Sequence, residues 1–208
     1  MGSEAYVYRH LQTASEGQAK PHPAEKKVAG LGNLENAMIA ISQTRRLAGT
    51  PLLTKQGAAE LIRCAFVAGK QYKVDPLVTL GVMARETGFS PPKSSSLIGP
   101  MQIAWRAHWP NQETDTKKAL KEQFHVPNRD TFKKWVSEIR NNVHYGTWYL
   151  SLMIKDAKGI KAGLEKYNST KLRKDYARDI LSNWMKQLEA AYKKDNRALG
   201  PFLTLTRE

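Results

Sequence analysis

The chain is poor in features that would place it in several common classes. Cys64 is the single cysteine, so no disulfide within the chain can brace the fold. It lies in "ELIRCAFVAG" at helical spacing from apolar neighbours, the position of a buried small hydrophobe rather than a nucleophile. No apolar run approaches the roughly 20 residues of a membrane-spanning helix. The opening "MGSEAYVYRHLQTASEGQAKPHPAEKK" holds no apolar stretch of the signal-peptide kind. Alternating polar and apolar residues do not run far enough for a large sheet, and no segment repeats. His108, His125 and His144 have no ligand-like spacing to cysteine or carboxylates, so neither a metal nor a cofactor is expected.

Acidic residues are also scarce. The 208 residues carry 33 Lys and Arg against 19 Asp and Glu, a net charge of +14. Residues 1–50 hold six basic and four acidic side chains, or +2, so residues 51–208 carry +12. Such a surface favours polyanions: nucleic acid, anionic lipid or an anionic cell envelope. Charge alone does not choose among them.

What is present reads as helix. Residues 1–32 show no sustained period and contain "KPHPAEKK", so residues 1–50 are expected to be a tail or linker with one short helix from Asn33, an N-cap candidate. The main domain is expected over residues 51–208. Gly57 to Tyr72 places Ala58, Leu61, Ile62, Ala65, Phe66 and Gly69 on one face. In "VDPLVTLGVMARETGF", Asp75 is a natural N-cap, Pro76 a natural first residue and Gly88 a natural stop. Trp109 to Pro127 is irregular and polar. Thr131 to Asn142 reads as a helix with Phe132, Trp135, Val136 and Ile139 on one face, continued by "VHYGTWYLSLMIK", where Gly146 permits close packing. Ile160 to Tyr167 is a short helix. Leu172, Tyr176, Ile180, Trp184, Leu188 and Tyr192 recur every fourth residue as a long closing helix. The expected fold is mostly α, with at most a small sheet or hairpin around residues 90–115.

One carboxylate then stands out. Glu86 falls in the last turn of a largely buried helix, before "SPPKSSSLIGPMQI". The negative end of the helix dipole and apolar neighbours such as Met83, Phe89, Met101 and Trp105 both disfavour its charged form. A carboxyl kept neutral near physiological pH can serve as a general acid. From position alone, a solvated or capping glutamate is the commoner reading.

Four blocks in order add to this. "ETGFSP…SSSLIGPMQI" resembles the signature of soluble-type lytic transglycosylases, relatives of goose-type lysozyme, through Glu86, Phe89, Pro91, a serine of Ser94–Ser96, Gly99, Met101 and Gln102. "NNVHYGTWYL" is similar to their Gly-Thr-x-Tyr-Leu segment at Gly146, Thr147, Tyr149 and Leu150. "GLEKYN" is similar to their Tyr-Asn motif at Tyr167 and Asn168, and "KDYARDIL" to the segment around a closing tyrosine at Tyr176. The chain departs from the pattern at Thr87, Pro100, Ala104 and Leu172, and its interval from Glu86 to Gln102 is short.

The resemblance implies a lysozyme-like (α+β) helical domain whose loop and hairpin line a glycan cleft. It implies cleavage of the bond between N-acetylmuramic acid and N-acetylglucosamine in peptidoglycan, with Glu86 as sole acid and base and 1,6-anhydromuramyl ends as products. Ser95, Met101, Gln102, Tyr149, Tyr167 and Asn168 would bind or position substrate, Met101 as the cleft floor; Tyr167 would lie near Glu86 and orient it, or stabilise positive charge at the anomeric carbon. A hydrolytic muramidase or a non-catalytic wall-binding component are the alternatives. Glu113, Asp115 and Asp130 are the acids nearest in sequence for a second carboxylate. The expected partners are peptidoglycan strands and, through basic charge, the anionic envelope. No specific nucleic acid is expected, and the protein is expected to be a monomer. It would act at the bacterial cell wall, in the periplasm, delivered by a phage or released.

Overall fold

The structure, a computed structural model, describes residues 31–45, 49–90, 96–110, 112, 114–168 and 173–196. It is mostly helical with one two-stranded antiparallel sheet. The elements in chain order are α1 (Gly32–Arg45), α2 (Lys55–Tyr72), α3 (Pro76–Thr87), β1 (Leu97–Ile98), β2 (Ile103–Ala104), α4 (Trp105–His108), α5 (Asp115–Glu122), α6 (Arg129–Val136), α7 (Ile139–Asp156), α8 (Ile160–Tyr167), α9 (Arg173–Asp179) and α10 (Met185–Asn196). A π-helical turn, Ile180–Trp184, joins α9 to α10.

Helix α3 is the central element. Asp75 Oδ1 accepts from Leu77 N at 2.8 Å and Pro76 opens the helix, while Gly88 ends it in the left-handed region at φ 55°. Between these signals Leu77 to Ala84 is buried on every side, as expected of a helix enclosed by others. It packs against α2, α10 and the π turn, and α7 packs against α2 and α8. The apolar face expected on α2 is buried at Ala58, Leu61, Ile62, Ala65, Phe66 and Gly69. A second cluster, of Phe124, Phe132, Trp135, Tyr145 and Trp148, joins α6 and α7 through tilted and edge-on ring contacts.

Several boundaries differ from the sequence reading. Helix α1 is not part of a tail: Leu31, Leu34, Met38 and Ile41 are buried in the same core as α2 and α3. Asn33 is not its N-cap: it lies inside the helix, which begins at Gly32. Asp195, from the far end of the chain, accepts from Asn33 N at 3.0 Å, from Leu34 N at 2.9 Å and from Asn33 Nδ2 at 2.7 Å. A carboxylate at a helix N-terminus satisfies orphan donors and complements the dipole.

The stretch read as irregular contains α5, started by Thr114 Oγ1 accepting from Lys117 N at 3.2 Å. Its buried face is little more than Leu120, too sparse to register as a period. The helix expected over Thr131 to Asn142 breaks after Val136, where Ser137 Oγ donates to Lys133 O at 2.7 Å. Ile139, expected on the buried face, is 40% exposed. The closing helix carries a π turn for a geometric reason. Repeats at every fourth residue drift by about 40° each on a helix of 3.6 residues per turn. A wider turn takes up part of that drift, and it sits where α3 has Gly81, whose added Cβ would meet Ile180 Cγ2 at 3.0 Å. Tyr176, Ile180, Leu188 and Tyr192 are thereby all buried.

Cys64 packs against the core, and burial pushes its thiol up to about 12, which makes it a poor nucleophile. Among the described residues, no helix is long and apolar enough to cross a membrane.

Candidate active site

Glu86 is half-buried in the last turn of α3. Burial pushes its carboxyl above the usual range, and two groups pull against it: the Tyr176 hydroxyl and the Arg85 guanidinium. Tyr176 OH donates to Glu86 Oε1 at 2.7 Å, leaving Oε2 to carry a proton. Tyr176 is itself 2% exposed, on α9, so its ring is fixed by packing. Arg85 lies with its guanidinium carbon 5.8 Å from the centre of the Tyr176 ring, and its Nε is 2.7 Å from Asp179 Oδ2. That Nε is buried and not aimed at a hydrogen-bond acceptor, so the contact with Asp179 is a charge pairing rather than an aligned bond.

Among the described residues no second carboxylate acts on Glu86. Asp115 and Asp130 stand exposed in the first turns of α5 and α6, where they complement helix dipoles. Glu113 lies outside the described residues.

The hairpin that follows is held from below by a residue the sequence reading did not single out. Asn142, fully buried on α7, accepts from Met101 N at 3.0 Å through Oδ1 and donates through Nδ2 to Ile98 O at 2.8 Å and Val136 O at 3.0 Å. Gly99, at φ 70°, presses on this amide so closely that an added Cβ would lie 2.3 Å from it. Met101 is wholly buried against Gly146, where a Cβ would come within 2.8 Å. Its side chain is therefore packed inward, beneath the hairpin.

The tyrosines divide their work differently from expectation. Tyr167, on α8, lies close enough for the charge of Glu86 to help raise its pKa, but its hydroxyl donates to Met101 O at 3.1 Å. Tyr176, not Tyr167, orients the glutamate. Tyr149, half-buried on α7, packs its ring 5.8 Å from that of Tyr167 and 4.4 Å, edge-on, from His108. Together these rings form an aromatic wall beside Glu86. His108 Nδ1 is 2.8 Å from Tyr145 OH, and burial lowers its pKa to about 4, so the ring is neutral. Its place in the wall was invisible in sequence because α4 is a single turn after the hairpin.

Gln102, half-buried, turns its amide back: Nε2 donates to Gly99 O at 2.8 Å, and its own backbone closes the turn at φ 49°. This is a loop-fixing bond, with Oε1 left as an acceptor. Thr87 keeps its hydroxyl on Met83 O at 3.2 Å, inside its own helix. Asn168 ends α8, its N–H donating to Leu164 O at 3.1 Å. Ser95, Pro91 and Leu172 lie outside the described residues. No group of three or more metal-ligating side chains occurs among the described residues.

Comparison with protein-family models, curated proteins and solved structures finds no match. The chemistry open to the site therefore rests on its own geometry: one proton-holding carboxyl, one hydroxyl orienting it, and a neutral aromatic wall.

Proposed function

We propose that the protein is a peptidoglycan lytic transglycosylase of lysozyme-like fold, with Glu86 as sole general acid and base. The observation that carries the reading is the single raised-pKa carboxyl of Glu86, held by Tyr176, with no second carboxylate acting on it among the described residues. Most glycosidases place two carboxyl groups across the scissile bond. A reaction that uses an internal hydroxyl as nucleophile needs only one.

In this mechanism Glu86 Oε2 protonates the oxygen bridging N-acetylmuramic acid and N-acetylglucosamine, and the bond from that oxygen to the muramyl anomeric carbon breaks. Glu86, now ionised, takes the proton from the muramyl 6-hydroxyl as that oxygen attacks the anomeric carbon. The proton count closes, no water is consumed, and a 1,6-anhydromuramyl end forms. Burial favours the neutral acid before the first step, and the Tyr176 hydroxyl and Arg85 favour the carboxylate that follows. Tyr149 and Tyr167 offer ring faces to the sugars, and Gln102 and Asn168 offer amide groups to hydroxyl and acetamido substituents. The strongly basic chain, at +14, draws it to the anionic cell wall, where it acts as a monomer.

Mass spectrometry of digested peptidoglycan tests the reading. Anhydromuramyl ends are the expected product. Reducing muramyl ends alone would assign a hydrolytic muramidase, and binding to walls with no cleavage would assign a non-catalytic wall-binding component.

A further inference from the structure

Three cations converge on one indole, at the start of the turn that carries His108. The charged groups of Arg129, Arg106 and Lys133 lie 4.8, 5.3 and 5.3 Å from the centre of the Trp105 ring. Trp105 is 6% exposed, whereas all three cations are exposed. Arg129 and Lys133 are one turn apart on α6, a spacing at which like charges repel. Arg106 adds a third charge from α4.

Cation–π attraction accounts for each contact singly but does not neutralise the set. Among the described residues none of the three enters an ion pair, although seven other pairs form. The acid nearest in sequence, Asp130, points about 100° away from Arg129 around α6. Among the described residues the cluster is thus a preassembled positive site with no ion-pair partner, and it carries two guanidinium forks, the side chain best matched to planar oxyanions.

Its position sets the ligand. Trp105 and His108 are three residues apart on α4 and share one side of that turn. The His108 ring packs on Tyr149 and Tyr149 packs on Tyr167, beside Glu86. The cluster thus starts within one turn of the rings that lead to Glu86.

We propose that Arg106, Arg129 and Lys133, gathered on Trp105, form a subsite for the carboxylates of the peptide arms borne by the muramyl residues of the strand. This rests on the glycan-cleaving reading of Glu86. It makes the protein selective for peptide-bearing strands over bare ones. A free phosphate polymer, not tethered to the sugars in the cleft, is held by the general basic surface instead.

The test compares the full chain with a triple variant, Arg106→Gln, Arg129→Gln and Lys133→Gln, and with a control carrying the same loss of charge at exposed Lys70→Gln, Lys161→Gln and Lys186→Gln. Binding of a soluble muramyl tetrapeptide is followed by Trp fluorescence. The subsite variant is expected to bind about tenfold more weakly, in line with loss of a charge-assisted contact, and the control to bind as the unaltered protein does. Equal weakening in both, or in neither, overturns the proposal. Weakened binding of poly(glycerol phosphate) with unchanged binding of the muramyl peptide overturns it in favour of a wall polymer.

In cleavage assays the subsite variant should lose about tenfold in kcat/KM on peptide-bearing strands and keep its rate on amidase-stripped strands. Equal losses on the two strands also overturn it. If the unaltered protein cleaves neither strand, the catalytic reading fails, and the peptide-binding comparison still decides the subsite. Arg129→Gln alone provides the same comparison should the triple variant unfold.

Discussion

Replacing Tyr176 by Phe removes one hydroxyl and keeps a ring that is 2% exposed, so the packing around α9 is preserved. The lost contact is the 2.7 Å hydrogen bond to Glu86 Oε1. A hydrogen bond to a charged group is worth about 1.5–3 kcal/mol, and partial exposure of Glu86 puts it at the lower end. About 1.4 kcal/mol corresponds to a tenfold change in the ratio of neutral to ionised forms. The hydroxyl favours the carboxylate, so its removal pushes the Glu86 titration further up, by about one pH unit. Since protonated Glu86 starts the reaction, the alkaline limb of kcat/KM against pH moves upward by the same amount. Stability follows the same sign. The cost of the substitution is least at acid pH, where Glu86 is neutral in both proteins, and grows as pH rises through its titration. Carboxyl NMR of labelled Glu86 gives the titration directly, and a pH–rate profile gives the limb. A limb that stays in place, or moves toward acid, would show that Tyr176 does not hold the charged form and would sink this account of the site.

Three further outcomes are expected. Glu86→Gln should lower wall lysis at least about 100-fold while sedimentation with walls persists, because it removes the proton donor and keeps the shape. The raised carboxyl stabilises the fold fully at low pH and loses that contribution as pH rises through its folded titration. Gln does not titrate, so the Tm of the variant should overtake that of the unaltered protein with increasing pH. Asn142→Ala strips partners from Met101 N, Ile98 O and Val136 O in a fully buried place and should cost about 3–5 kcal/mol by urea unfolding, with loss of activity as the hairpin loosens. Asp195→Ala should cost about 1–2 kcal/mol by the same measurement, because α1 loses its acceptor at Asn33 N and Leu34 N.

Much of the fold is legible along the chain. Asp75, Pro76 and Gly88 are local signals, acting within a turn or two of where they stand, and α3 begins and ends as those residues dictate. Helix α2 starts two residues ahead of the expected Gly57, where the Thr54 hydroxyl accepts from Gly57 N. The apolar face of α2 follows from spacing alone. Helix α5 escaped notice because a helix held by little more than Leu120 has almost no period. The break at Ser137 escaped because a serine hydroxyl bonded back to the carbonyl four residues earlier, as here to Lys133 O, also occurs inside continuous helices. Of the site, Glu86 was legible through its place at the end of a buried helix. The hydroxyl that orients it was not, since Tyr149, Tyr167 and Tyr176 are alike in sequence and differ only in where each hydroxyl lands.

The sequence by itself determined the helical class, the main start and stop signals, the lone carboxyl before a glycine- and serine-containing loop, and the excess of positive charge. Those are properties of neighbours in the chain or of sums over it. The tertiary structure alone decided that Asp195 caps α1, that Asn142 pins the hairpin, that Tyr176 rather than Tyr167 meets Glu86, and that three cations gather on Trp105. Arg106 apart, which neighbours Trp105 in the chain, these contacts join residues from different elements, 24 positions apart (129 − 105) for Arg129 on Trp105 and 162 for Asp195 on Asn33. The direction of a side chain across such a gap is set by the packing of whole helices, which no local pattern encodes.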